Sequence, residues 1–265
     1  MKKTRKDRPH RRTAAKTAPT THDLAAARTG YRLRGLQGRL INSIGSAIVT
    51  GRYQPGEYLP VDRELCEHYT ASRPTIREVI RILEAKGLVQ TKQKSGTCVN
   101  PSRLWSLVDP DVLGWFTVAT LSDELLRDLV ELCQIIEPAA AKLAAGRASL
   151  ADISGIEKAY EAMAAATTRM PAYARADAVF HLSIFAASHN ALLWNLSHVV
   201  SGVLRLSFEL SQETLNGSNN TIARDLAAHR EVLKAISRGD GGDAEAAMLK
   251  VVFSGKAAFA RRARR

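Results

Sequence analysis

Three arginines recur at four-residue spacing in the stretch SRPTIREVIRILEAKGL, at Arg73, Arg77 and Arg81. The guanidinium group stays charged at physiological pH, and its planar fork of donors matches a phosphate or the O6 and N7 atoms of guanine. On a helix this spacing directs the three side chains to roughly one side. The stretch therefore predicts a helix that binds a polyanion. The alternative is a solvated face in which the arginines pair with Glu78 and Glu84.

The same helix has an apolar side that would dock on a core. Four residues follow the i, i+3, i+4, i+7 spacing of one helix face: Ile76, Val79, Ile80 and Leu83. Ser72 is a suitable N-cap, and Pro74 fits the first turn because its missing N–H is not needed there. Gly87 is expected to end the helix. The apolar face is thus available for packing on a core, and the arginine face is available for contact with a polyanion.

Shorter elements flank this helix on both sides. An amphipathic helix is predicted from Leu36 to a stop at Gly51, and a second short helix begins near Asp62. Two strands are predicted at 88–92 and 97–99, joined by a polar tip. A short helix, a tight turn and an arginine-bearing helix form the helix-turn-helix arrangement, whose second helix lies in the DNA major groove. The hairpin that follows this helix corresponds to the wing of a winged helix-turn-helix, which would contact the phosphate backbone.

The net charge of the chain also favours a polyanionic partner. The formal charge is +12, and each lysine or arginine docked on a phosphate releases a condensed counterion. Nucleic acid and anionic membrane both qualify by charge. No apolar run approaches the ~20 residues of a membrane span, and no apolar signal segment follows the basic N-terminus, so we expect a cytoplasmic protein. Three scattered cysteines give no disulfide framework: Cys66, Cys98 and Cys133.

Composition divides the 265-residue chain into three parts. Residues 1–33 are rich in Lys, Arg, Thr and Ala and predict a disordered basic arm. Residues 34–101 contain the predicted winged helix-turn-helix, and residues 102–265 predict an all-α bundle. Helices in the bundle are expected at about 106–118, 122–146, 149–167, 171–188, 190–213, 219–238 and 242–261. The predicted fold class is therefore mainly α, with a winged helix-turn-helix followed by a helical bundle.

The segment GRYQPGEYLPVDRELCEHYTASRPTIREVIRILEAKGLVQTKQKSGTCV resembles the winged helix-turn-helix of the GntR family of bacterial transcription factors. The motifs PGE-x-LP, REL, SR-x-T-x-RE, KGL and a wing with Gly at its tip occur in the family's order. The resemblance implies DNA contacts for seven residues: Arg63, Ser72, Arg73, Thr75, Arg77, Lys94 and Gly96. Lys94 and Gly96 match the wing tip that enters the minor groove in this family. Pro74 stands where relatives often have a polar residue.

Three later segments resemble the FCD ligand-binding domain of the FadR branch of that family, from about residue 105 to 260: ELCQIIEPAAAKLAA, DAVFH and AAHREVLKAISRGD. LVDPDVLGWF and SGVLRLSFEL are further similar to repressors of sugar-acid operons, such as the galactonate operon. The resemblance implies that the bundle binds an effector and forms a homodimer. It also implies a repressor that a small carboxylate or sugar acid releases from a double-stranded DNA operator.

Asp177 and His181 stand four residues apart, so they share one face of a helix, and His229 lies on a later helix. In metal-binding relatives these three residues are joined by one more histidine near the C-terminus. No histidine follows His229 here, and residues 251–254 occupy that region. The resemblance therefore implies a Zn²⁺ or Ni²⁺ site with an open position for water or for oxygens of the effector. The alternative is a hydrogen-bonded cluster inside the bundle.

Recognition of an acidic effector also departs from the family pattern. Relatives commonly have an arginine where this chain has Cys133. Arg205 is the best remaining internal cation, and we expect it to bind the effector together with Asp177, His181 and His229. The alternative for Arg205 is a surface ion pair with Glu209.

Two other classes of function remain as alternatives at this point. One is an architectural protein that coats DNA without sequence preference, which the basic arm would permit. The other is a metal-dependent hydrolase built on Asp177, His181 and His229. The sequence contains no nucleophile elbow, phosphate loop or metal-protease signature, so we expect no enzyme.

Overall fold

The computed structural model describes residues 35–93, 95–214 and 219–255. The arm predicted for residues 1–33 and the wing-tip residue Lys94 lie outside the described residues, as does the C-terminal end predicted for the last helix. The described chain is mainly α, with one small hairpin. This confirms the predicted fold class.

The N-terminal part of the fold consists of three helices and a hairpin, in the predicted order. They are α1 (Gly35–Val49), α2 (Asp62–Tyr69), α3 (Arg73–Ala85), β1 (Val89–Lys92) and β2 (Gly96–Val99). The strands are antiparallel, and Val89 is opposite Val99. Gly87 follows α3 at φ 75°, in the left-handed region that favours glycine, and there the chain turns from α3 into β1.

The apolar face of α3 is buried as its spacing predicts. Ile76, Val79 and Leu83 are fully buried, and α3 packs against α1 and α2. The matching face of α1 supplies four buried aliphatic residues: Leu40, Ile41, Ile44 and Ile48. Burial of one such side chain stabilises the fold by about 1.5–3 kcal/mol, so this seam fixes which side of α3 faces outward.

The cap of α3 is a separate source of stability. Ser72 has extended backbone geometry, and its Oγ accepts a hydrogen bond from Thr75 N at 3.4 Å. We expect Ser72→Ala to lower the free energy of unfolding by about 1 kcal/mol, because an N–H of the first helical turn loses its acceptor. Urea unfolding of the two proteins measures the change. Ser72→Asn provides the control because asparagine also caps helices; an equal loss in both variants would exclude capping as the cause.

The rest of the described chain forms a bundle of seven helices. They are α4 (Pro110–Trp115), α5 (Asp123–Arg147), α6 (Leu150–Ala165), α7 (Met170–Ala187), α8 (Ala191–Thr214), α9 (Asn219–Ser237) and α10 (Gly241–Gly255). The long helix α5 packs chiefly against α10, while α6 packs on α7 and α9 on α10. Phe180 and Phe185 of α7 are among the largest fully buried side chains of this core.

The first bundle helix is shorter than the sequence predicts. We expected residues 106–118, whereas α4 covers only Pro110–Trp115. Asp109 caps it by accepting hydrogen bonds from Asp111 N and Val112 N. Proline at the first helical position has no N–H to continue a helix from upstream, and Phe116 leaves the helix in an extended conformation. Local capping therefore overrides the apolar pattern around this segment.

The helix α4 also packs on the N-terminal part of the fold. The Trp115 ring lies directly over Gly45 of α1, where any side chain would collide with it. Trp115 Nε1 donates to Asn42 Oδ1 at 3.0 Å. The absence of a side chain at Gly45 thus permits the Trp115 ring to lie against the backbone of α1.

Candidate DNA-binding surface and metal site

The outer side of α3 exposes the two arginines near its N-terminal end. Arg73 is exposed and has no ion-pair partner among the described residues. Arg77 Nε lies 3.3 Å from Asp62 Oδ2 of α2, and its side chain is 73% exposed. An exposed ion pair contributes at most about 1 kcal/mol, so a phosphate or a base edge can displace Asp62. The burial of the opposite face holds both guanidinium groups toward solvent.

Arg81 and Arg63 are paired on their own helices. Arg81 Nη1 lies 3.1 Å from Glu78 Oε2, and Arg63 Nε lies 3.0 Å from Glu67 Oε1. The sequence also offered Glu84 as a partner for Arg81. Glu84 instead accepts a hydrogen bond from the Thr91 backbone N–H at 2.9 Å, which ties the end of α3 to the hairpin.

The remaining described residues of the expected DNA-contact set lie at the start of α3 and at the start of β2. Ser72 Oγ and Thr75 Oγ1 are 2.8 Å apart at the start of α3. Gly96 is exposed at the start of β2. The structure therefore brings Ser72, Arg73 and Thr75 together on one helix end, whereas Lys94 falls outside the described residues.

A second cluster lies inside the bundle and unites the three candidate metal ligands. Asp177 and His181 come from α7, one helical turn apart, and His229 comes from α9. Asp177 Oδ1 is 3.5 Å from His181 Nε2 and 3.0 Å from His229 Nε2. One potential ligand atom from each residue lies within 4.8 Å of the others. The three residues that the sequence suggested as metal ligands thus lie close together in the structure.

Neighbouring groups orient both imidazole rings toward this centre. His181 Nδ1 lies 2.5 Å from Glu137 Oε2 of α5, and His229 Nδ1 lies 2.7 Å from the Asp225 carbonyl oxygen. Each Nδ1 therefore faces an acceptor, and each Nε2 faces Asp177. A histidine that binds a metal through one nitrogen usually donates its other N–H to such an acceptor. No spacing in the sequence singles out Glu137, which lies on another helix within an E-P motif.

The buried charges shift one another's pKa values. Burial alone would raise the pKa of Asp177, but His181 and His229 outweigh it and hold that pKa well below its usual range. Burial alone would lower the pKa of His181, but Glu137 and Asp177 raise it to about 10. The pKa of His229 is likewise raised, by Asp177 and Asp225. Metal binding would displace protons from both rings, since a ligand nitrogen must be neutral.

A small cavity adjoins these three residues. Its volume is about 30 Å³, and its walls are completed by Leu204, Asp225, Val251 and Val252. Three buried atoms of this cluster have no aligned hydrogen bond among the described residues: Asp177 Oδ1, His181 Nδ1 and His229 Nε2. Carboxylate oxygen and imidazole nitrogen are ligands that Zn²⁺ and Ni²⁺ accept, so the donor set fits a divalent cation. Val251 and Val252 belong to the segment where the resemblance implies a fourth ligand in metal-binding relatives, and both line this cavity.

Arg205 is not among the residues that line this cavity, and its expected contact with the effector stays a prediction. Its Nη1 is 2.6 Å from Glu209 Oε1, and its Nη2 donates to the carbonyl oxygens of Leu113 at 3.3 Å and Phe116 at 3.0 Å. The pairing with Glu209 is the alternative that the sequence left open. The rotation of α8 turns Leu204 toward the cavity and Arg205 toward α4. Helical spacing alone could not decide between these directions.

Comparison with known proteins agrees with both parts of the fold. Residues 36–99 match the model of bacterial regulatory proteins of the gntR family, and residues 128–252 match the FCD domain. The galactonate operon transcriptional repressor of Escherichia coli K12 is 36% identical over 82% of this chain and 93% of its own length. The transcriptional regulator LutR of Bacillus subtilis 168 is 31% identical over 76% of this chain and 91% of its own length.

A solved structure also supports the fold. The Listeria monocytogenes protein Lar has a TM-score of 0.59 at 16% identity, over 87% of this chain and 99% of the other. Among the described residues, no helix combines the length and the apolar character needed to cross a bilayer. The matched domains and relatives are those of transcriptional regulators and not of enzymes. The chain therefore belongs to the gntR family of bacterial regulatory proteins and carries an FCD domain.

Proposed function

We propose that this protein is a repressor that binds a palindromic operator as a cytoplasmic homodimer and is released from it by a small carboxylate, specifically a sugar acid. The observation that carries the proposal is the exposure of Arg73 and Arg77 on a helix whose opposite face is buried. The similarity to a galactonate operon repressor supports the class of effector. We also propose that the DNA-binding domain extends from about residue 34 to residue 101 and that the effector domain follows it.

In the proposed complex α3 lies in the major groove. Arg73 and Arg77 form bidentate contacts with guanine O6 and N7, while Ser72 and Thr75 contact the backbone or a base edge. Arg63 contacts a phosphate from α2. Lys94 and Gly96 place the wing in the minor groove, where glycine permits close approach. Asp62 gives up its ion pair with Arg77 when DNA binds.

In the effector domain we propose that Asp177, His181 and His229 bind Zn²⁺ or Ni²⁺. Such an ion, when bound, supplies a Lewis acid with positions open to oxygen atoms of the effector. Glu137 and the Asp225 carbonyl keep both Nε2 atoms directed at the site. A contact of Arg205 with the effector would lie outside this cavity, because its guanidinium is bound to α4 and Glu209.

The test of this function compares specific and non-specific DNA. The wild-type protein first selects its palindrome from a pool of random duplexes, and fluorescence anisotropy then measures its affinity for that palindrome and for a scrambled duplex at the same salt concentration. We expect a preference of at least about 10³-fold, typical of sequence-specific binding. D-Galactonate and other aldonates are then titrated into the complex. Equal binding to both duplexes would instead support an architectural protein that coats DNA.

A contact between the wing and a DNA phosphate should appear mainly in how the affinity for DNA depends on salt concentration. We expect Lys94→Ala to weaken binding to all sequences alike and to reduce the slope of log K against log salt by about 1, because one fewer counterion is released. Anisotropy titrations at four salt concentrations measure the slope. Lys142→Ala serves as the control, since Lys142 lies in the bundle in an exposed ion pair with Glu245. An unchanged slope in Lys94→Ala would rule out the wing contact.

A further inference from the structure

The short helix α4 is bound at its N-terminal end by a cation from the DNA-binding domain. Lys86, the C-cap of α3, places its Nζ 2.8 Å from each carboxylate oxygen of Asp109 and 2.7 Å from Asp111 Oδ2. The side chain of Lys86 is only 12% exposed and that of Asp111 only 2%. A buried charge without its partner is strongly unfavourable. These three residues therefore hold the end of α3 and the start of α4 together.

Backbone contacts reinforce the same connection. Ser106 N donates to the Lys86 carbonyl at 3.0 Å, and Asn100 Nδ2 donates to the Gly87 carbonyl at 2.8 Å. Any side chain at Gly87 would collide with the Leu104 carbonyl oxygen. The last turn of α3 is thus fixed to the segment that leads into α4, and α3 cannot rotate without moving that segment.

The C-terminal end of α4 is bound by a cation from the bundle. Arg205 of α8 donates to the carbonyl oxygens of Leu113 and Phe116, where the helix dipole favours positive charge. Glu209, one turn further along α8, holds the other arm of the guanidinium. Leu204, the neighbour of Arg205, lines the cavity beside the candidate metal ligands. The helix α8 therefore contacts both that cavity and α4.

We propose that Lys86 and Arg205 are positioning residues that fix α4 between the two domains and thereby set the angle of α3 relative to the bundle. In a dimer held together by the bundles, this angle sets the distance and rotation between the two recognition helices. The two residues therefore determine which spacing of operator half-sites the protein accepts. This inference rests on the proposed function, because it requires a dimer that binds a palindrome.

The experiment measures spacing preference separately from base preference. The palindrome selected by the wild-type protein is synthesised with one or two base pairs inserted or deleted at its centre; each inserted pair rotates one half-site by roughly 34°. A single half-site and a half-site with a changed guanine complete the set. The first variant combines Lys86→Met with Asp109→Asn and Asp111→Asn, which removes the buried charges together and keeps a side chain that can cap α4. The second combines Arg205→Met with Glu209→Gln.

We expect the wild-type protein to bind the altered spacings at least about tenfold more weakly than the selected one, because half-site spacing reflects the geometry of the dimer. Both variants are expected to reduce this difference to about threefold or less. Their preference for the correct guanine on a single half-site should equal that of the wild type, which a general loss of folding would not produce. Lys142→Met, which removes an ion pair remote from α4, should retain the wild-type spacing preference.

Wild-type spacing preference in either variant would overturn the inference for the residue concerned. If one variant does not fold, the other still decides whether fixing α4 matters for spacing. A wild-type protein that selects only single half-sites would refute the proposed dimer before any variant is made, and this inference with it. The wild-type selection thus tests the proposed function, and the spacing preference of the variants separately tests the positioning role.

Discussion

An Arg73→Ala protein is expected to bind its selected operator about 1–3 kcal/mol more weakly than the wild type and to accept other bases at the contacted position. The physical reason is the loss of a bidentate contact, since alanine offers no donors to guanine O6 and N7. Arg73 is exposed at the first position of α3 and has no ion pair in the described structure to compensate for its removal. Anisotropy titrations with the selected operator and with each single-base substitution measure both effects.

Arg81→Ala is the matched control because it removes the same charge from the same helix. Arg81 lies two turns further along α3 and is paired with Glu78. We expect this variant to lose little affinity and to keep the base preference of the wild type. Wild-type affinity together with wild-type base preference in Arg73→Ala would refute the assignment of Arg73 as a base-reading residue.

Replacement of His229 by alanine is expected to lower the affinity for Zn²⁺ and Ni²⁺ by more than about 100-fold, beyond the effect typical of residues that only orient a ligand. His229 supplies one of three potential ligand atoms that lie within 4.8 Å of each other. Two ligands remain in the variant, too few to hold the ion against water. Isothermal titration of metal-stripped protein with each ion measures the affinity directly.

Two further variants make this experiment decisive. His189 lies in the turn between α7 and α8 and is paired with Asp152 of α6. We expect His189→Ala to leave the metal affinity unchanged. Val251→His introduces a ligand at the valine wall of the cavity and should raise the affinity. If His229→Ala bound metal as tightly as the wild type, Asp177, His181 and His229 would be a buried hydrogen-bonded cluster and not a metal site.

The helix α3 was predictable because its signals are local. The apolar spacing, the Ser72 cap and the stop near Gly87 each act within a few residues, and the structure reproduces all three. The extent of α4 was not predictable from its apolar residues. There a proline at the first helical position and the cap at Asp109 restrict the helix to Pro110–Trp115.

The candidate sites were predictable only where the spacing of residues along a helix fixes the direction of their side chains. Asp177 and His181 share a face because they are four residues apart, and the structure brings His229 to them. Glu137 has no sequence relationship to His181, because their contact depends on how α5 packs against α7. The partner of Arg205 likewise depends on the rotation of α8 within the bundle. Tertiary packing therefore decides the parts of the site that spacing leaves undetermined.

The size of the cavity has a consequence for how an acid could act as a signal. A volume of about 30 Å³ accommodates a water molecule beside Asp177, His181 and His229. A six-carbon acid is far larger than this volume, so its binding beside these three residues would require the side chains that line the cavity, including Leu204 of α8, to move. If the effector binds in this cavity, the size of the ligand would therefore decide whether the walls of the cavity have to move.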